Sequence, residues 1–174
     1  ELLEEGGIPY AVGGALAYGF WGNPRGTRDV DLNVFVPADE ATATIDLLIA
    51  GGVRFDRETA LLSARERGDA RGYHGDIPVD VFFASIPLHE SAAHRCHRVE
   101  LLEREICILS AEDLVVFKLL FFRGKDVVDV ERVVAIQGKD LDRSYIRRWL
   151  IDCVGKGDER VRRWDAICAA LPLQ

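Results

Sequence analysis

Two carboxylates, Asp29 and Asp31, stand two residues apart at the head of a run, Asp29-Val30-Asp31-Leu32-Asn33-Val34-Phe35-Val36, whose apolar content reads as a β-strand. Side chains at i and i+2 of a strand share a face, so the two acids lie roughly 7 Å apart at their Cα atoms. Adjacent like charges repel. Oxygen ligands from two or three carboxylates, completed by a phosphate, are what Mg2+ prefers, and a pair held this way suits that role. The plainer reading is an Asp29 that ends a turn beside an Asp31 on a solvated face. A third carboxylate, Asp80, lies within Ile77-Pro78-Val79-Asp80-Val81-Phe82-Phe83, where its neighbours imply burial and an unpaired charge would be costly. Something positive should meet it. If its strand lies beside the first, three acids converge, enough to hold two divalent ions with Asp80 taking a proton from an attacking hydroxyl. Otherwise Asp80 is an edge-strand residue or the ion-pair partner of an arginine.

Gly13-Gly14 falls between a strand and a helix start, where backbone N–H groups can receive phosphate oxygens and where a side chain would hold the phosphate away. The chain lacks both the Gly-Lys-[Ser/Thr] ending of a Walker loop and the Gly-x-Gly-x-x-Gly dinucleotide fingerprint. Arg25, Thr27 and Arg28 lie just ahead of the acidic pair. Donors for a triphosphate and acceptors for its metals would then share one edge of a sheet, the alternative being an ordinary solvated turn.

The elements that must position these groups follow from periodicity and turn residues. Residues 8–12, between Gly6-Gly7 and Gly13-Gly14, read as a strand, 15–21 as a short helix, and 29–36 as a second strand stopped by Pro37. Residues 38–50 read as a helix ended by Gly51-Gly52, 53–55 as a short strand, 65–75 as a mobile surface loop, and 77–83 as a further strand. Residues 98–109 fit a strand or a hairpin. Ser110 with Asp113 is a helix start of capping-box type, and Leu114, Phe117, Leu120 and Phe121 recur at helical spacing until Gly124. Helices follow over 126–137, 142–154 and 158–171. The expected architecture is α/β: a small mixed sheet with flanking helices over residues 1–109, and a helical bundle over 110–174 packed on that core.

With 174 residues, 48% of them apolar and 29% charged, the chain has the size and balance of one globular domain with a helical annex. No apolar stretch reaches the roughly 18 residues of a membrane span. The opening Glu1-Leu2-Leu3-Glu4-Glu5 has no initiator Met, which suggests a trimmed or incomplete start, and no secretory leader pattern. A net charge of −7 argues against indiscriminate grip on nucleic acid. Cys96, Cys107, Cys153 and Cys168 are too widely spaced for a disulfide framework or a zinc ribbon, so reduced thiols in a cytoplasm are expected. His89, His94, Cys96 and His97 match no standard zinc spacing and read as exposed loop residues. Residues 142–163 carry a local basic excess that would suit an RNA acceptor or a solvated helix face.

Together, Val12-Gly13-Gly14, then Arg25-Gly26-Thr27-Arg28-Asp29-Val30-Asp31-Leu32, then Asp80 in a later apolar strand, resemble the minimal nucleotidyltransferases of the DNA polymerase beta-like superfamily. Ser110-Ala111-Glu112-Asp113-Leu114 with Lys118, Arg123, Lys125-Asp126 and Asp129 is similar to the branch holding abortive-infection type nucleotidyltransferase toxins. The resemblance spans roughly residues 8 to 135. It implies transfer of a nucleoside monophosphate from an NTP to an acceptor hydroxyl on a tRNA, a protein or a small molecule such as an antibiotic, with pyrophosphate leaving. Asp29 and Asp31 would correspond to shared Mg2+ ligands for two ions, Asp80 to the third ligand and base, and Gly13-Gly14 to the phosphate turn. Arg25, Thr27 and Arg28 would join that turn at the triphosphate, and Lys118 would approach from the helical region, with Arg123 and Lys125 as further candidates. Many members carry Gly-Ser where this chain has Gly-Gly and then Ala15. The alternative is a non-catalytic nucleotide- or partner-binding module of a toxin-antitoxin type system, with an antitoxin as its partner.

Overall fold

Short apolar runs closed off by Gly or Pro become strands, and the longer 3.6-period segments become helices. The computed structural model describes residues 2–171. Residue 1 and residues 172–174, which end the 1–109 and 110–174 assignments, lie outside the described residues. Among them, six strands form one mixed sheet: β1 (Tyr10–Val12), β2 (Val30–Pro37), β3 (Asp69–His74), β4 (Ile77–Ala84), β5 (His97–Leu101) and β6 (Arg104–Ile108), in the order β3-β4-β2-β1-β6-β5. The α-helices are α1 (Leu2–Glu5), α2 (Gly14–Trp21), α3 (Ala41–Ala50), α4 (Arg57–Arg67), α5 (Pro87–Arg95), α6 (Ala111–Phe121), α7 (Gly124–Gln137), α8 (Arg143–Val154) and α9 (Glu159–Ala170). The chain divides into two compact units. One takes the chain up to Leu16 together with Gly26–Ile108, and the other takes Ala17–Arg25 with the chain from Leu109 onward.

In the first unit, β2 runs antiparallel to β1 and parallel to β4, and β3 closes one edge antiparallel to β4. Alternation along β4 buries Val79, Val81 and Phe83 and turns Asp80 and Phe82 to the other face. The register partners of Val79, Val81 and Phe83 on β2 are Val30, Leu32 and Val34, so one face of this strand pair is apolar throughout. Ile45 and Leu48 of α3, Ala60 and Ala64 of α4, and Leu88 of α5 are buried within the same unit. Each full aliphatic burial contributes about 1.5–3 kcal/mol, which fixes the register because a one-residue slip would reverse every side chain.

In the second unit, Leu114, Val115 and Leu119 of α6, Val130, Val133 and Val134 of α7, Ile146 and Leu150 of α8, and Val161, Trp164 and Ile167 of α9 are buried at i, i+3, i+4 spacings. Ser110, Asp142 and Asp158 cap α6, α8 and α9 by accepting from backbone N–H groups. The end of α2 belongs here too. The Trp21 indole donates to the Leu109 carbonyl at 2.8 Å, and the Gln137 amide donates to the Trp21 carbonyl at 2.9 Å. Asp113 is fully buried, accepting from the Ser110 hydroxyl at 2.6 Å and from the Tyr145 hydroxyl at 2.5 Å.

Several expectations change. Residues 65–75 are not a mobile loop but the end of α4, a left-handed cap at Gly68, and edge strand β3. Asp56 starts α4 by accepting from Thr59 N–H. The small inward residues of β3, Ala70 and Gly72, disguise its alternation; a Cβ on Gly72 would come within 2.7 Å of the Phe55 ring. Residues 53–55 make a single bridge between Arg54 and Tyr73 and no strand. Residues 98–109 resolve into the β5–β6 hairpin, with positive φ at Leu102 and Glu103 in its turn. The break expected at Gly124 occurs two residues earlier, where Phe122 takes the left-handed region at φ +56° and Gly124 opens α7. His89 is not an exposed loop residue. It is buried in α5, where burial pushes its pKa below the usual histidine value and its Nδ1 faces the Ile86 backbone. His94 and His97 are exposed, on α5 and β5.

Replacing Tyr145→Phe removes a buried hydrogen bond between α8 and α6 and should cost about 1–3 kcal/mol of stability, read by urea unfolding with the slope of the transition unchanged.

Candidate functional site

The matched register of the sheet assembles the acids. Asp31 of β2 pairs with Asp80 of β4, Asp80 pairs with Arg71 of β3, and Gly13, just past β1, donates its N–H to the Asp31 carbonyl at 2.8 Å. Register partners on adjacent strands share a face at about 5 Å spacing, so Arg71, Asp80, Asp31 and Gly13 form one row across the sheet. Asp29 precedes β2 by one residue. The Thr27 hydroxyl donates to the Asp29 carboxylate and lies 3.5 Å from the Asp29 N–H. Arg28 is exposed and makes no ion pair among the described residues.

The glycine corner closes directly over the row. Gly14 has φ +54°, and a Cβ built on it would lie 1.6 Å from Asp31 Oδ2. The missing side chain is therefore what lets the start of α2 approach this carboxylate, and both its conformation and its surroundings require glycine.

Asp80 is already engaged. Arg71 Nε donates to its Oδ1 at 2.5 Å and Nη2 to its Oδ2 at 2.7 Å, with the arginine side chain 59% exposed and the aspartate 14%. The hydrogen bonds it donates to Asp80 hold the Arg71 guanidinium above the ordinary arginine range, with charge on Asp80 and Asp29 adding to the effect. For a hard divalent cation the donor chemistry fits, since the row offers carboxylate oxygens alone beside a corner that a Cβ would fill. Among the described residues no group of three or more His, Cys, Asp or Glu side chains stands arranged around a metal position.

The remaining sequence candidates lie in the helical unit. Lys118 is buried, donating to Asp129 Oδ2 at 2.8 Å with Asp126 Oδ1 at 3.6 Å, and Arg25 donates to the same Asp129 oxygen at 3.0 Å. Burial would raise the Asp129 pKa, yet hydrogen bonds from Arg25 and Lys118 bring it below the usual aspartate value. Tyr18 lies against both cations, its ring centroid 5.7 Å from Arg25 Cζ and 5.5 Å from Lys118 Nζ, and its buried hydroxyl has no hydrogen-bond partner among the described residues. Arg123 pairs with Asp126 at 2.6 Å and caps α7 with it. In the basic segment 142–163, Arg147 pairs with Asp165, Arg163 with Glu131 and Arg160 with Asp158, while Arg143 and Arg162 donate to backbone carbonyls.

No protein-family model matches the chain, and no curated protein matches it by sequence. Solved structures do. ANT(2'')-Ia in complex with adenylyl-2''-tobramycin superposes with a TM-score of 0.57 at 12% identity, over 98% of this chain and 93% of that one. The solution structure of the antibiotic-resistance factor ANT(2'')-Ia gives 0.52 at 17% identity over 97% and 86%. The chain shares the fold of these structures, a nucleotidyltransferase-like one. The lincomycin-bound lincosamide antibiotic adenylyltransferase LnuA gives 0.50 at 17% identity, over 78% of this chain and 91% of that one. In this nucleotidyltransferase fold the six-stranded sheet carries the acidic row, and a C-terminal region of several helices follows it.

Sequence reasoning passed over Arg71 and Tyr18. A signal for Arg71 was present: Gly75-Asp76 makes a two-residue turn with Gly75 at φ +60°, so His74 meets Ile77 and, counting outward, Arg71 meets Asp80.

Gly14→Ala should cost about 1–3 kcal/mol through its positive φ alone and displace the Asp31 carboxylate, checked by urea unfolding. Asp129 has a folded pKa below its unfolded value, so its stabilisation is present above pH ~4 and is lost as the pH falls through the lowered value. Thermal midpoints measured from pH 7 down to pH 3 should therefore fall more steeply for the parent protein than for Asp129→Asn.

Proposed function

We propose that the chain is a nucleotidyltransferase that moves a nucleoside monophosphate from an NTP to a hydroxyl of a small-molecule acceptor. The observation that carries this reading is the row in which Asp80, Asp31 and the Gly13 backbone stand side by side, with Gly14 closing over Asp31. Asp29 and Asp31, with Asp80, would hold Mg2+, which supplies charge neutralisation on the phosphates and alignment of the α-phosphorus. Thr27 steadies the Asp29 carboxylate, Gly14 would bring the start of α2 up to the phosphate without a side chain in the way, and Arg28 is an exposed cation in the same unit. Asp80 would accept the acceptor's hydroxyl proton at a carboxylate oxygen. The new oxygen–phosphorus bond then forms as the bond to pyrophosphate breaks. Lys118 and Arg25 belong to the helical unit, where both hold Asp129.

A small-molecule acceptor is favoured over tRNA because the chain carries a net charge of −7 and Arg147, Arg160 and Arg163 of the basic segment are held in ion pairs. A protein hydroxyl is a further acceptor class. The similar folds whose names mention tobramycin and lincomycin support the small-molecule reading by analogy of fold. The second reading, a partner-binding module without turnover and with an antitoxin-type partner, is favoured by the Arg71 guanidinium already seated on Asp80.

Purified protein incubated with Mg2+, each NTP in turn, and aminoglycoside, lincosamide or bulk tRNA as acceptor should release pyrophosphate with a small-molecule acceptor and not with tRNA. Asp31→Asn should lower that rate at least about a hundredfold with the fold intact by circular dichroism. Release with tRNA alone would reassign the acceptor. Absence of both turnover and NTP binding would favour the module.

A further inference from the structure

We propose that Arg71 is the built-in counter-cation of the acidic row and that a divalent cation loading the row displaces it from Asp80. The inference rests on the nucleotidyltransferase reading and concerns how its metal site is kept when no metal is bound. Asp31 and Asp80 stand at matched register on neighbouring strands, where like charges directly opposite destabilise a sheet. Arg71 is the next residue in the same row, and its fork meets both Asp80 oxygens, at 2.5 and 2.7 Å. The field of Asp29 reaches it as well. Its place is on an edge strand, and its side chain is 59% exposed while Asp80 is 14% exposed. The guanidinium can therefore swing into solvent without opening the apolar face of the sheet. Arg71 meets Asp80 alone, whereas a divalent cation that also gains Asp31 oxygens is the stronger partner for Asp80. Arginine and metal thus compete for one carboxylate, and each must weaken the other by the same factor.

The test uses Mn2+ alone, without nucleotide, titrated into the whole chain and followed by water-proton relaxation and by thermal midpoint. Arg71→Gln should bind Mn2+ about tenfold more tightly than the parent. Its midpoint should drop in metal-free buffer and recover when Mn2+ is added, since the ion replaces the lost charge. Arg71→Lys keeps a cation but loses the two-pronged contact, and its affinity should fall between the two. Equal or weaker Mn2+ binding by Arg71→Gln overturns the proposal, as does a midpoint deficit that Mn2+ leaves in place. Asp31→Asn separates the levels. Its loss of Mn2+ binding in both arginine backgrounds ties the site to the row, whereas Mn2+ binding untouched by Asp31→Asn, or absent from every variant, removes the nucleotidyltransferase reading and this proposal together.

Discussion

Like charges on adjacent strands push apart, and the first unit holds Asp31 and Asp80 together because the opposite face of the same strands leaves no choice. Val79, Val81 and Phe83 lie buried against a register in which Val30, Leu32 and Val34 are their partners. Slipping either strand by one residue to separate the acids would send that apolar set to solvent. The sheet accepts electrostatic cost on one face because hydrophobic burial dictates the other. Everything chemical in the unit hangs on that trade: Gly13 bonds to the Asp31 carbonyl, Gly14 leaves room for the Asp31 carboxylate, and Arg71 arrives opposite Asp80 through the β3–β4 hairpin.

The helical unit solves a related problem differently. There two carboxylates are buried, and each is answered by more than one partner: Asp129 by Lys118 and Arg25, Asp126 by Arg123 and Lys118. Buried ions satisfied from several sides add specificity of arrangement more than net stability, since desolvation consumes much of the attraction. Tyr18 lends its ring to both cations while its hydroxyl finds no hydrogen-bond partner among the described residues. The Lys118–Asp129 contact at the centre of this network is buried on both sides, whereas Arg71 in the other unit lies on an exposed arm.

Much of this was legible from residue types. The strands bearing Asp31 and Asp80 are strongly apolar and fenced by Gly and Pro, and Ser110, Asp142 and Asp158 announce their helices by capping chemistry. What stayed hidden has a common cause. Asp69-Ala70-Arg71-Gly72-Tyr73-His74 carries only Ala and Gly at its inward positions, because the Phe55 ring lies against Gly72, so no large apolar alternation marks it as a strand. Pro87-Leu88-His89-Glu90 likewise opens a helix whose polar composition conceals it, although Pro at a first helical position was a usable cue. Reading β3 as loop removed Arg71 from view. The sequence-level alternative that Asp80 pairs with an arginine could then be entertained without an arginine to name.

In the corner after β1, any mutation at residue 14 must add at least a methyl group, and the space a methyl would take is filled by an oxygen of Asp31. No other amino acid can therefore stand at this corner while the Asp31 carboxylate keeps its place.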